Sequence, residues 1–132
     1  MSLPLDTSLV TLLIALYYFG VGLYVAVVRG KVKISAPVMS GDPLLERALR
    51  VQMNALEFAP IILPSLWLAA FWMSDVWAAG LGVVWVVARI AYVRLYMNNP
   101  SSRGPAFTTQ MVAALALIIM AFMGVALKLL HG

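Results

Sequence analysis

Arg47, Arg50, Asn54 and Glu57 recur at steps of three and four residues, the spacing that places side chains on one face of an α-helix. At 100° per residue they fall within about 80° of one another and form a polar ladder, with Glu57 roughly 10 Å beyond Arg50. Arg89, Tyr92 and Tyr96 share a face in the same way, and Arg103 follows across a polar stretch, Asn98 to Gly104. Guanidinium groups bind carboxylates through paired N–H donors, a glutamate can hold an amine, and tyrosine and asparagine add neutral hydrogen bonds. A pocket with both charge signs, built from Arg50, Asn54, Glu57, Tyr92, Tyr96 and Arg103, suits a small zwitterionic ligand that carries carboxylates and an amine. Other chemistries lack their residues. The chain has no cysteine and one histidine, His131 beside the C-terminal residue. A cysteine nucleophile and a cysteine-ligated zinc site are excluded, and a catalytic triad, a zincin motif or a haem-ligating pair has no support. No Walker or dinucleotide-binding glycine pattern occurs, and no metal site is expected.

The elements that carry these residues are apolar. Of 132 residues 64% are hydrophobic and 11% charged, with a mean hydropathy of +0.98; soluble domains carry about 25% charged residues. An ordinary soluble globule is ruled out. One bilayer crossing needs about 20 apolar residues, so the length allows four crossings with short loops. Helices are expected over about 8–28, 43–73, 76–97 and 105–130, in an antiparallel all-α bundle forming a single membrane domain. Asp6, Thr7 and Ser8 offer N-caps for the first helix. The run from Leu9 to Val28 has no basic residue before it and is too long for a signal-peptide core, so it reads as a retained span. Arg29 to Pro43 reads as a loop, with Asp42 and Pro43 as N-cap and first position of the second helix. Pro60 and Pro64 inside that helix predict a kink. Ser74 and Asp75 form a tight turn.

Cytoplasmic loops are enriched in Lys and Arg. Loop 1 carries Arg29, Lys31 and Lys33 with Arg47 and Arg50 just beyond, and loop 3 carries Arg103. These loops are expected on the cytoplasmic side and both termini on the other. The net charge of +4 is assigned to topology and contact with membrane lipids, and no nucleic-acid partner is expected. Trp67, Trp72, Trp77 and Trp85 read as belt or packing residues, Arg94 as a snorkelling side chain, and the methionines as apolar filler. Tyr92 and Tyr96 fit either a pocket or an interfacial belt. Glu57 and Arg89 lie at similar depth from one membrane face. An ionisable residue there costs at least about 2.5–3.5 kcal/mol and faces a bundle interior or a wet cavity, so the two can pair with each other or serve a ligand.

The string Glu46-Arg47-Ala48-Leu49-Arg50-Val51-Gln52-Met53-Asn54-Ala55-Leu56-Glu57-Phe58-Ala59-Pro60 resembles the second-helix signature of the MAPEG family, the membrane-associated proteins in eicosanoid and glutathione metabolism. The block Ala88-Arg89-Ile90-Ala91-Tyr92-Val93-Arg94-Leu95-Tyr96, followed by Arg103, is similar to that family's third helix and loop. The resemblance covers nearly the whole chain. It implies a homotrimer of four-helix subunits that binds glutathione between neighbours at the cytoplasmic side. Arg50, Asn54 and Glu57 then look like holders of the glutathione carboxylate and amino groups, and Gln52, Phe58, Tyr92 and Tyr96 like further contacts. Phe58 stands where related sequences often carry Tyr, so a hydroxyl contact is lost there. Arg29 aligns with a basic position used by some members for ligand contact or catalysis. Arg103 looks like the catalytic arginine that stabilises the thiolate in the leukotriene C4 synthase-like branch.

The implied function is a membrane-bound glutathione transferase that conjugates a lipophilic electrophile or reduces a lipid hydroperoxide, with a bacterial inner membrane as the expected location. A thiol of pKa about 8.5 is only a few per cent ionised at pH 7, and one arginine in a partly desolvated cleft can lower it. Two other readings compete. One is a small four-helix membrane transporter, for which Glu57 is the sole acid in a substrate path and sits among basic residues. The other is a non-catalytic ligand-binding member of the same family.

Overall fold

A computed structural model describes residues 3–132. Four long helices run up and down, α1 (Leu5–Val32), α2 (Pro43–Trp72), α3 (Asp75–Asn98) and α4 (Gly104–His131), with a single 3₁₀ turn, Pro100–Arg103, leading into α4. All four are long and apolar enough to cross a membrane, and the chain is an integral multi-pass membrane protein. Leu12, Leu16, Phe19, Val87, Phe122 and Leu129 are among the many large apolar side chains on the outside, a surface suited to an apolar surrounding and not to water.

Helix ends follow local chemistry. Asp42 caps α2 by accepting from Leu44 N–H at 2.8 Å, with Pro43 at the start of the helix. Ser74 caps α3 by accepting from Trp77 N–H at 3.3 Å. The start of α1 departs from expectation. Its N-cap is Pro4, which has no capping side chain, and Asp6 and Thr7 lie inside the first turn. Their amides are satisfied from the neighbouring helix: Asp75 accepts from Thr7 N–H at 2.8 Å and from Asp6 N–H at 3.1 Å. An anionic group at a helix N-terminus also complements the macrodipole. The far end of α1 continues past Val28 through Arg29, Gly30 and Lys31, where the two basic side chains in the last turn complement the macrodipole. Termination comes at Lys33, a left-handed residue with φ 59°. Pro60 and Pro64 lie within α2, which is continuous across both, and the Tyr18 hydroxyl donates to the Ala55 carbonyl beside the proline turn.

Helices α2 and α3 pack on each other, and each also packs on both α1 and α4, whereas α1 and α4 do not meet among the described residues. The two helices that carry the polar motifs are thus the two at the centre. The main core joins Val10 and Ile14 of α1, Phe58, Ile62 and Leu66 of α2, Trp85 of α3 and Leu117 of α4. Small residues bring the helices close, as in membrane bundles generally: Gly82 lies against Val10 and Leu66, and Gly124 against Trp72 and Met73.

Candidate functional site

Arg89 is the centre of the polar network. It is 0% exposed and is held by all the other helices. Its Nε donates to the Tyr17 hydroxyl of α1 at 2.9 Å, its Nη2 to the Val51 carbonyl of α2 at 3.3 Å, and its Nη1 to Gln110 Oε1 of α4 at 3.2 Å. Nη1 also donates to Asn54 Oδ1 of α2. The guanidinium lies 4.5 Å from the Tyr92 ring centre and 5.6 Å from that of Tyr17. Every acceptor is neutral, and Arg89 has no carboxylate partner among the described residues. An arginine stays charged at any working pH, so its positive charge is spread over oxygens and ring faces but not cancelled.

This arrangement replaces the pairing of Glu57 with Arg89 that similar depth allows. Glu57 pairs instead with Arg50, two turns earlier on its own helix, at 3.4 Å. The reason is rotational. Asn54 sits at the edge of the buried stripe formed by Val51, Ala55, Phe58 and Ile62, while Arg50 and Glu57 lie about 40–60° further round and are 50% and 56% exposed. The ladder read from spacing therefore divides: Asn54 turns inward to Arg89, and the ion pair faces outward.

From Arg89 a stacked series leads to the rim. Tyr92 and Tyr96 stack with ring centres 5.6 Å apart and planes 19° from parallel, and the Arg103 guanidinium lies 5.6 Å from the Tyr96 ring centre. Tyr92 is buried against Phe107 of α4; Tyr96 is half-buried and Arg103 exposed. Asn99 caps the 3₁₀ turn by accepting from Ser101 N–H at 3.2 Å, and this turn fixes where Arg103 leaves the backbone. Arg47 donates to the Met97 carbonyl at 3.2 Å, joining the start of α2 to the end of α3.

Three of the expected residues lie elsewhere in the chain. Phe58 is buried, 6.2 Å from Trp85 and 6.4 Å from Phe107 between ring centres, so it packs the core beneath the site. Gln52 lies on the α1 side of α2, where a Cβ on Gly22 would stand 3.8 Å from its Nε2. Arg29 spans loop 1, donating to the Val38 carbonyl at 2.7 Å and the Ile34 carbonyl at 3.2 Å. Among the described residues, neither Gln52 nor Arg29 hydrogen-bonds to Arg50, Asn54, Glu57, Tyr92, Tyr96 or Arg103.

Sequence reading passes over Tyr17 and Gln110, two of the groups that hold Arg89. A signal existed: a guanidinium within a span demands acceptors, and these are polar side chains in otherwise apolar stretches of α1 and α4.

Comparison with known proteins gives the chain its relatives. The chain is 32% identical to an uncharacterized protein of Synechocystis, over 89% of this chain and 86% of the relative. It is 34% identical to mouse microsomal glutathione S-transferase 2, over 78% of this chain and 70% of the relative. Identity to rat leukotriene C4 synthase is 32%, over 93% and 82% respectively. The profile of the MAPEG family matches residues 7–123, spanning all four helices and both polar motifs, and the chain belongs to that family.

Proposed function

We propose that this protein is a membrane-bound glutathione transferase that ionises the glutathione thiol for attack on lipophilic substrates. The observation that carries the reading is the charge balance on the α2–α3 side. Arg50 and Arg103 lie on the exposed side with one carboxylate, Glu57, and the uncancelled charge of Arg89 is buried behind Asn54. Glutathione has two carboxylates, one ammonium and a thiol, so its charge pattern complements two exposed guanidinium groups, the Asn54 amide and one carboxylate. Its carboxylates would meet Arg50 and the Asn54 amide, and its ammonium Glu57. The Arg50–Glu57 pair is half exposed and worth little by itself, so opening it for a charged ligand costs little.

Arg103 supplies the electrostatic step. A cation beside the sulfur favours the thiolate, and an opposite charge within a few Å lowers a pKa by about 1–3 units. In conjugation, the thiolate sulfur donates an electron pair to the electrophilic carbon, a C–S bond forms, and the leaving group departs with its pair while the thiol proton passes to water. In hydroperoxide reduction, two glutathione molecules become the disulfide and the hydroperoxide becomes an alcohol and water. Electrophile or hydroperoxide would enter from the bilayer.

The separation of Gln52 and Arg29 from the remaining site residues supports a homotrimer, in which the α1–α2 side of one subunit completes the site of the next. The basic residues of loops 1 and 3 favour a cytoplasmic site with both termini opposite, and a bacterial inner membrane fits the Synechocystis relative. The test is glutathione conjugation of an aryl halide by the purified protein. Wild type should turn over, and Arg103→Ala should lose about tenfold or more in kcat/KM near neutral pH, in line with the loss of one pKa unit of thiolate stabilisation. Equal rates for the two proteins would remove Arg103 from the chemistry.

A further inference from the structure

We infer that Arg89, which never meets the ligand, is a positioning residue that sets the polarity of the site through Asn54 and the tyrosine stack. The inference rests on the transferase reading and extends it to a residue inside the bundle.

Arginine has donors and no acceptor. The atom of Asn54 that faces Arg89 must therefore be its carbonyl oxygen, and the contact with Nη1 is made by Oδ1. That fixes the other end of the amide as –NH2. Asn54 is 7% exposed, and its nitrogen makes no hydrogen bond among the described residues, so the residue offers a ligand a donor and no acceptor. Gln110 is oriented in the same way: its Oε1 accepts from Arg89 and its Nε2 is left buried without a partner. One buried cation thus turns two amides, at the cost of an unpaired N–H2 on the core side. On the α2 side, the ligand group that meets Asn54 must be an acceptor, a carboxylate or carbonyl oxygen.

The second route runs through the rings. Arg89 lies 4.5 Å from the Tyr92 ring centre, Tyr92 stacks on Tyr96 at 5.6 Å, and Arg103 lies 5.6 Å from Tyr96. A planar guanidinium stacks on a ring and a lysine ammonium does not present the same flat face. Arg89 therefore anchors the inner end of the series whose outer end carries Arg103.

The experiment uses the full-length protein in lipid nanodiscs, with glutathione as the probe. Asn54→Asp gives Arg89 a charged acceptor while replacing the ligand-facing N–H2 by an oxygen that repels carboxylates. It should unfold at a higher temperature than Asn54→Leu, which leaves Arg89 short of a partner, yet bind glutathione roughly 10–100-fold more weakly than wild type, as for loss of a hydrogen bond to a charged group. Arg89→Lys keeps the charge and loses the flat stacking face, so the pH at which bound glutathione becomes thiolate, followed by ultraviolet absorbance, should move upward. Asn54→Asp that binds like wild type, or that unfolds no later than Asn54→Leu, overturns the inference. So does a folded Arg89→Lys with the wild-type thiolate profile. If Arg89→Lys does not fold, the two Asn54 variants decide. Wild-type protein that binds no glutathione overturns the transferase reading and this inference with it, whereas wild-type binding matched by Asn54→Asp overturns this inference alone.

Discussion

Gly124 is the position where an added methyl group has least room. A Cβ there would stand 2.6 Å from Trp72 Cβ, 2.8 Å from Met73 Cγ and 2.8 Å from the Trp72 backbone carbon. Two of these atoms belong to backbone or to the first atom of a side chain, and neither can swing aside, so α4 must move away from the end of α2. Overpacking of this kind costs about 1–3 kcal/mol, against a gain of about 1 kcal/mol from the higher helix propensity of alanine. Gly124→Ala is thus expected to destabilise by up to about 2 kcal/mol, a change of up to roughly 30-fold in the ratio of folded to unfolded protein. Gly80→Ala is the matched control, since nothing lies within 4 Å of its added Cβ, and it should be neutral or slightly stabilising. Gly82→Ala should fall between them: its nearest neighbours, Val10 Cγ1 at 2.7 Å and Leu66 Cδ1 at 3.2 Å, are ends of side chains. Reversible unfolding in mixed micelles, followed by far-ultraviolet circular dichroism, ranks the three. Gly124→Ala as stable as Gly80→Ala would refute the close α2–α4 packing. The consequence reaches the site, because α4 also carries Gln110, one of the groups that hold Arg89.

Glu57→Gln removes the carboxylate 3.4 Å from Arg50; stability should change by less than about 1 kcal/mol, as for an exposed pair, while glutathione affinity measured by calorimetry should fall several-fold. Unchanged affinity would show that Glu57 holds no ligand amine. Asp75→Ala deprives Asp6 N–H and Thr7 N–H of their acceptor and should cost about 0.5–2 kcal/mol, the usual range for a lost helix cap. Faster amide hydrogen exchange confined to the first turn of α1 would be its signature, and unaltered exchange at Asp6 and Thr7 would contradict the cap between helices.

The fold was largely legible because a bilayer imposes a length and a composition on each span, and four apolar runs separated by Pro, Gly, Asn and Asp leave few alternatives. Helix ends were less so. Asp75 serves as acceptor for amides 69 and 68 residues earlier in the chain, and no local rule shows this. Arg29 looks like loop from its charge, yet it lies within α1, which ends only where Lys33 turns left-handed. At the site, helical spacing grouped Arg50, Asn54 and Glu57 on one side of α2. A rotation of about 40–60° decides whether such a residue meets the core or the outside, and neighbouring helices set it. The same limit applied to Arg89: its depth was readable, but its partners lie on three other helices. Tyr17 and Gln110 were marked only as polar side chains within apolar spans, with no spacing to tie them to Arg89.

The most direct test is calorimetric titration of the purified wild-type protein with glutathione near neutral pH, repeated in buffers of different ionisation enthalpy. Arg50 and Arg103 beside one carboxylate, with Arg103 next to the sulfur, should give saturable binding accompanied by release of the thiol proton, and S-methylglutathione should bind without releasing it. Absence of binding, or binding with no proton released, would contradict a site built to hold glutathione as its thiolate.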